Sequence, residues 1–277
     1  MVFIPDTLVI SGGALKGVGA LGALKYLEEH YGTLEIFKTF IATSVGSMIS
    51  YMVAIGYTPQ EMSEQLVDLE LFKEKFCFDK DISLYDFEVI MDEMELLTLV
   101  KRTSVPTLGE LYHALGKELV CITYNYTRNT LEPLWWKTHP DMSCLEAVRA
   151  SSALPVIFKP VLYNDMLYFD GGIADNFPIH TALQMGKDKL VGIALFSSIQ
   201  QKNDDPVHIK IFNLIAAGMT VSMETLLKIH QNSFPLIPIF LDLSLLITLD
   251  QATMDHTMSL GYEAAKKIFT SQAQMEG

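Results

Sequence analysis

The spacing of apolar residues changes period twice near the start of the chain, and each change marks a strand handing over to a helix. Thr7-Leu-Val-Ile10 is a short β-branched run. After Ser11 to Gly17, reading Ser-Gly-Gly-Ala-Leu-Lys-Gly, the apolar positions Val18, Leu21, Leu24 and Leu27 take up three-residue, helical spacing. The same sequence of events follows at Phe37 to Ala42, a second β-prone run. There the turn Thr43-Ser44-Val45-Gly46 leads into a helix whose Val45, Met48, Ile49 and Met52 share one face. Two strand–loop–helix units in a row predict parallel strands joined by a right-handed crossover, with helices on both faces of the sheet.

Further on, Thr58-Pro-Gln-Glu61, Thr107-Leu-Gly-Glu110 and Ser143-Cys-Leu-Glu146 each read as a capping box that opens a helix. The first has proline at the first helical position, so that helix starts at about Pro59. The third runs through Ala147, Val148 and Ala150 and must stop before Pro155. Lys117 to Tyr126 reads as a buried strand, with Leu131 to Lys137 as its neighbour across a turn at Arg128-Asn129. Lys159 to Leu162 and Met166 to Phe169 flank a turn at Asn164-Asp165, and the second arm delivers Asp170-Gly171-Gly172. Asp175-Asn176 followed by Pro178 starts a helix that ends at Gly186, and Leu190 to Phe196 has the continuous apolar character of a parallel strand. Residues 206–277 read as helical with a proline-broken middle, ending in Tyr262 to Phe269.

The expected fold is a three-layer α/β/α sandwich around a mostly parallel sheet, with a helical C-terminal extension. Residues 1–277 are expected to form one domain, with a motif-bearing core at about 5–198. A hydrophobic content of 49% supports a substantial core. The net charge of −13 excludes a nucleic-acid surface, which needs clustered cations. Between Tyr57 and Glu95 there are 12 acidic residues against 3 lysines, a local net charge of −9. The aromatics Phe72, Phe76, Phe78, Tyr85 and Phe87 in and around that acidic stretch either pack a helical excursion or form a flap over an apolar site. Cys77, Cys121 and Cys144 lack metal-ligand spacing and are expected to be reduced, buried thiols in a cytosolic setting. The start of the chain shows no secretory pattern, and the apolar runs are shorter than the roughly 20 residues of a membrane span, so membrane contact is expected to be peripheral.

Two glycine patterns suggest a nucleotide, and both fail on position. Gly17, Gly19 and Gly22 spell G-x-G-x-x-G but begin past the strand, inside the helix, where they cannot form the phosphate turn. Gly12 to Gly17 has P-loop spacing, yet Val18 stands where the lysine belongs. No nucleotide is expected, and Gly19 and Gly22 are read as packing glycines.

Ser44 carries the chemistry. A serine on a sharp strand-to-helix corner is lifted into a cleft, where its oxygen can act as a nucleophile. The amides of Gly12, Gly13 and Ala14, on a loop beside it because their strands are sequential, can meet a developing oxyanion. Of the seven histidines, none sits in a strand-end motif suited to a base; His180 comes nearest and is read as structural. Asp170, at a strand end before two glycines, is either the base or a turn-capping aspartate on periodicity alone. A free aspartate has a pKa of about 3.9, so it serves as a base only where desolvation raises its proton affinity.

Ser11 to Gly17, Ala-Thr-Ser-Val-Gly at Ala42 to Gly46, Ala-Ser-Ser-Ala-Leu-Pro at Ala150 to Pro155 and Asp-Gly-Gly at Asp170 to Gly172 occur together in one order. In that order and approximate spacing the chain resembles the patatin-like phospholipases, over roughly residues 5–198. The resemblance implies a serine–aspartate dyad of Ser44 and Asp170 without histidine, metal or cofactor. It further implies oxyanion amides at Gly12, Gly13 and Ala14, with Lys16, Gly17, Gly46, Gly171 and Gly172 in support. Such enzymes cleave acyl esters of glycerolipids, so a phospholipase A or lysophospholipase type of serine esterase acting on phospholipid at a membrane or lipid aggregate is expected. A catalytically silent lipid-binding or regulatory protein, or an acyltransferase or thioesterase using the same dyad, are the alternatives. Two positions depart from the family's pattern: Ala14 and Ala42 stand where glycine is common, each adding a methyl at a crowded backbone.

Overall fold

The computed structural model describes residues 3–68, 87–198, 207–242 and 250–276. The first two units form as the pattern requires. β1 (Thr7–Ile10) leads through a short 3₁₀ turn into α1 (Gly17–Tyr31), and β2 (Thr39–Thr43) leads into α2 (Val45–Ala54). The capping boxes open α3 (Pro59–Asp68), α5 (Leu108–Leu115) and α6 (Cys144–Ser151), with α4 (Glu88–Lys101) between the first two. At Thr107 the reciprocal bonds are both present, Glu110 N–H to Thr107 Oγ1 at 3.1 Å and Thr107 N–H to Glu110 Oε2 at 2.8 Å. Phe72, Phe76, Phe78, Tyr85 and Cys77 lie outside the described residues. Phe87 is buried against Phe158 (ring centroids 4.5 Å apart), a core contact.

The remaining strands are β3 (Glu118–Asn125), β4 (Thr130–Leu134), β5 (Val161–Tyr163), β6 (Met166–Asp170), β7 (Leu190–Ser198) and β8 (Leu236–Asp242). α7 (Ile179–Gln184), α8 (Val207–His230) and α9 (Gln251–Glu276) complete the described elements. β8, β7, β1, β2 and β3 run parallel in that spatial order, while β4, β5 and β6 add antiparallel pairs. The β5–β6 hairpin turns on Asn164 (φ 48°) and Asp165 (φ 61°), two residue types that tolerate the left-handed region a tight hairpin demands.

Alternate residues of the buried strands face opposite sides, which creates two cores and three layers. Leu8, Ile10, Phe40, Ala42 and Leu119 pack with α1, α2, α6 and α9. Val9, Ile41, Val120 and Ile122 pack with α7 and α8 through Ile179, Ala182 and Met223.

The register around β3 positions the site. Cys121 and Ile122 pair with both β2 and β4, so those two strands lie on opposite edges of β3. Thr123 to Asn125 pair with both β4 and β6, so β6 shares an edge with β2. β2 ends at Thr43 opposite Ile122, and β6, running the other way, ends at Asp170 opposite Thr123. The two strand ends therefore meet head to head on one edge.

The C-terminal part is mainly helical, as expected, through α8 and α9. Its proline-broken middle is β8, which extends the sheet in parallel beside β7. A helix cannot carry Pro235 and Pro238, but an edge strand can, because an outward-facing N–H is not needed there. α9 lies along α1, where Gly22 and Gly261 let the two helices meet backbone to backbone. A methyl on Gly22 would overlap the Met258 carbonyl, and one on Gly261 would overlap the Gly19 carbonyl. Of the glycines that mimic a nucleotide motif, Gly22 thus belongs to the seam for α9, Gly19 makes room for Ile239 and Leu241 of β8, and Gly17 lies against Val45 and Ile49 of α2. None of the described helices is long and apolar enough to cross a membrane. Gly261→Val is expected to cost about 3 kcal/mol by forcing α9 off α1, a loss that chemical denaturation would register, whereas Ser259→Ala should stay within about 0.5 kcal/mol.

Candidate active site

Ser44 occupies the corner between β2 and α2 with φ 55° and ψ −129°, a conformation that costs a non-glycine residue on the order of 1–3 kcal/mol. The surroundings hold it there. Ser44 N–H donates to Ser151 Oγ at 3.0 Å, and Ser151 donates in turn to the Ile122 carbonyl at 2.7 Å. Ser47 Oγ lies 2.9 Å from Ser151 Oγ and donates to the Ala42 carbonyl at 2.9 Å. Gly46 permits the corner to close, since a methyl there would stand 2.6 Å from the Ile10 carbonyl oxygen. Gly17 sits against Val45 of the same turn. Ala42 itself is fully buried between Ile10 and Cys121 in the sheet, so its methyl is absorbed by the core.

Asp170 reaches Ser44 from the opposing strand end and is 1% exposed. Gly172 N–H donates to its Oδ1 at 2.7 Å and the Ser44 hydroxyl to its carboxylate, while its own N–H donates to the Ala153 carbonyl at 2.9 Å. Burial outweighs those hydrogen bonds and pushes the carboxyl up to about 7. Gly171 must be glycine for this approach, because a side chain would overlap the Ile122 carbonyl. Asp170 is thus buried while its side chain caps the turn at Gly171–Ile173.

The glycine loop lies beside the serine as expected, with a methyl on Gly12 falling 3.2 Å from Ser44 Cβ. Its amides divide in a way the sequence does not reveal. Gly12 N–H donates to the Asn176 carbonyl at 3.0 Å, whereas the N–H groups of Gly13 and Ala14 have no partner among the described residues, and both residues line the same cavity as Ser44. Ala14 takes φ 49°, so the methyl that replaces the family's frequent glycine is accommodated at a backbone cost of about 1–2 kcal/mol rather than by a clash. Lys16 is 3% exposed on the cavity wall, and burial lowers its ammonium pKa to about 8.

Gly13, Ala14, Lys16, Ser44, Asp170, Asn176 and Leu154 enclose a cavity of about 30 Å³, roofed by Ala216, Met219 and Thr220 of α8. Met219 covers Gly172 closely enough that its Cε would overlap a methyl there. A larger, open depression of about 480 Å³ between α1, α3 and α9 shares no residue with this cavity and lacks a nucleophile–base pair. Among the described residues no histidine lines the Ser44 cavity; His180 is exposed and packs edge-on against His230. Nor do the described residues include a cluster able to hold a metal ion.

Sequence reasoning missed three contributors. Ser151 lies within a recognised motif but gave no sign that its hydroxyl ties the corner to β3. Asn176 reads as a helix-start residue, and only the fold turns it toward Gly12. The α8 roof has no local signal beyond amphipathic spacing.

Residues 8–183 match the family model of the patatin-like phospholipases, and the chain belongs to that family. It is 34% identical over 194 residues to a probable lipid hydrolase, 463L, of Invertebrate iridescent virus 6, a match covering 66% of this chain and 65% of the viral protein. It is 29% identical over 182 residues to an intracellular phospholipase A2 of Caenorhabditis elegans, covering 62% of this chain but 16% of that protein. The chain thus spans just under two thirds of one relative and a small part of the other. In three dimensions it resembles VipD from Legionella pneumophila, with a TM-score of 0.59 over 97% of this chain and 67% of VipD at 16% identity, a likeness of fold.

Ser151→Ala leaves the Ser44 amide and the Ile122 carbonyl without their buried partner, and a loss of about 1–3 kcal/mol is expected by chemical denaturation. Asp170 supplies a second test. Its folded carboxyl keeps a proton up to about pH 7, whereas an unfolded aspartate releases it near 3.8, so stability falls as pH rises through that window. Asp170→Asn removes the fall, and at pH 8 the variant is expected to be more stable than the native protein by a few kcal/mol, the gap closing toward pH 4.

Proposed function

We propose that the chain is a serine lipid acyl hydrolase of phospholipase A or lysophospholipase type, working through Ser44 and Asp170. Asp170 draws the proton from the Ser44 hydroxyl as Oγ attacks the ester carbonyl carbon. The oxyanion forms against the amides of Gly13 and Ala14, while Gly12 holds the loop in place through Asn176. Collapse of the tetrahedral intermediate breaks the ester C–O bond, and Asp170 returns the proton to the leaving alcohol. Water then hydrolyses the acyl-Ser44 ester by the same route reversed. No metal or cofactor enters this scheme.

One observation carries the proposal: a buried carboxylate, raised to about 7, hydrogen-bonded to a serine hydroxyl on a strained corner. A base is most effective when its pKa lies near working pH, and burial moves this aspartate there without a histidine. Strain and burial at one place also mark a site where stability has been exchanged for reactivity.

The substrate has to displace α8, because a cavity of about 30 Å³ is far smaller than the roughly 300–1,000 Å³ that ligands of lipid size occupy. Leu214 (74% exposed) and Val221 (75% exposed) are seven residues apart on the outer side of that helix, and this apolar face suits peripheral contact with a lipid aggregate.

Ser44→Ala and Asp170→Asn are each expected to lower hydrolysis of a short-chain nitrophenyl ester and of a phospholipid by at least about 10³-fold. A fluorophosphonate probe should label the native protein at Ser44 and leave Ser44→Ala unlabelled. For the native protein, kcat/KM should rise about tenfold per pH unit below 7 and level off above it, as the carboxylate form of Asp170 accumulates. Full activity in either variant would overturn the dyad.

A further inference from the structure

Asn176 is 3% exposed, yet its Oδ1 has no hydrogen-bond partner among the described residues. Its other amide atom donates only to the Met223 sulfur, at 3.0 Å, a weak acceptor. Buried polar atoms are rarely left unpaired, and one that is calls for a cause. Location supplies it. A methyl on Gly12 would overlap Asn176 Oδ1 and stand 3.2 Å from Ser44 Cβ. A methyl on Gly172 would come 2.8 Å from the same oxygen and 3.0 Å from Asp170 Oδ1. The carboxamide oxygen is thus lodged between the glycine loop and the Asp-Gly-Gly turn, and Asn176 lines the cavity that holds both Ser44 and Asp170.

That cavity, at about 30 Å³, has room for water and is too small for an acyl chain. A water in such a space needs two to four polar partners. Asp170, Ser44 and Asn176 Oδ1 offer them.

Building on the hydrolase reading above, we infer that Asn176 Oδ1 orients the water that discharges the acyl-enzyme. One O–H of the water points to Asp170 and is the proton transferred; the other points to Asn176 Oδ1, which aims the water's lone pair at the acyl carbonyl carbon. The water oxygen forms a bond to that carbon, and Asp170 takes the first proton. The carbon–Ser44 Oγ bond then breaks, and Asp170 delivers its proton to Oγ. The second hydrogen leaves with the carboxylic acid product. A carboxamide suits the position because it accepts a hydrogen bond without charge, whereas a second carboxylate would hinder ionisation of Asp170. The role belongs to deacylation: in acylation the leaving alcohol occupies the place of the water.

Rapid-mixing kinetics with nitrophenyl butyrate separate the two steps, the burst of nitrophenol reporting acylation and the later steady rate reporting deacylation. In Asn176→Leu the burst rate is expected within about threefold of native while the steady rate falls roughly 10²-fold, with butyryl-Ser44 accumulating in the intact mass spectrum. Asn176→Ser, which removes the oxygen without adding apolar bulk and folds more readily, should show the same split. Equal slowing of both steps, as misplacement of the glycine loop would produce, overturns the inference, and so does an unchanged steady rate. Absence of any acylation in the native protein overturns the hydrolase reading and this inference with it.

Discussion

The structure depends on a collision of two strand ends along one edge of β3. β2 approaches from one side and stops opposite Ile122; β6 approaches from the other and stops opposite Thr123. Neither can continue without running into the other, so each chain must turn out of the sheet, one into α2 and one into the Gly171–Ile173 turn. The residues at those two exits are Ser44 and Asp170. Their meeting is therefore a result of strand register, the most rigid relation a sheet provides, because a slip of one residue would turn every side chain of the strand to the opposite face. Ile122 is the pivot. Its carbonyl accepts from Ser151, which holds the Ser44 amide, and it lies so close to Gly171 that no side chain fits there.

Burial does the electrostatic work. An aspartate in water has too little proton affinity to assist a serine, and a histidine is the usual remedy. Here the sheet, the glycine turn and Met219 of α8 shield Asp170 from bulk solvent, raising its carboxyl to about 7, while the hydrogen bonds from Gly172 and Ser44 retain enough affinity for the charged form to keep it in range. The same burial makes the ionised form costly to the fold. Strain at Ser44 and at Ala14 adds to that cost, and the Ser47–Ser151 network and the seating of α2 against the end of β1 offset it.

The C-terminal elements bear on the site at two removes. α9 clamps α1, the helix that follows the glycine loop, through contacts so close that only glycine serves on both helices. β8 completes the sheet beside β7, and Leu195 of β7 donates its N–H to Ser11 Oγ, at the root of that loop. α8 closes the cavity from above and presents Leu214 and Val221 outward, so it is apolar on both sides.

Read as a string of residues, the chain determined its strand–loop–helix order, the helix starts at Pro59, Thr107 and Ser143, the parallel core, and the placement of Ser44 and Asp170 at strand ends. All of these rest on signals within a few positions of one another: periodicity, capping boxes, glycine spacing and motif order. The tertiary structure decided what depends on distant segments. It turned Gly12 N–H toward Asn176 and left the amides of Gly13 and Ala14 without a partner among the described residues, made a proline-broken run into an edge strand, and gave Gly22 and Gly261 to helix packing. It also set the burial of Asp170, since a pKa follows from shielding by residues up to 49 positions away, such as Met219, and no local pattern encodes that. Backbone preference and hydrophobic period act between neighbours in sequence; hydrogen-bond assignment, strand register and dielectric environment act between neighbours in space.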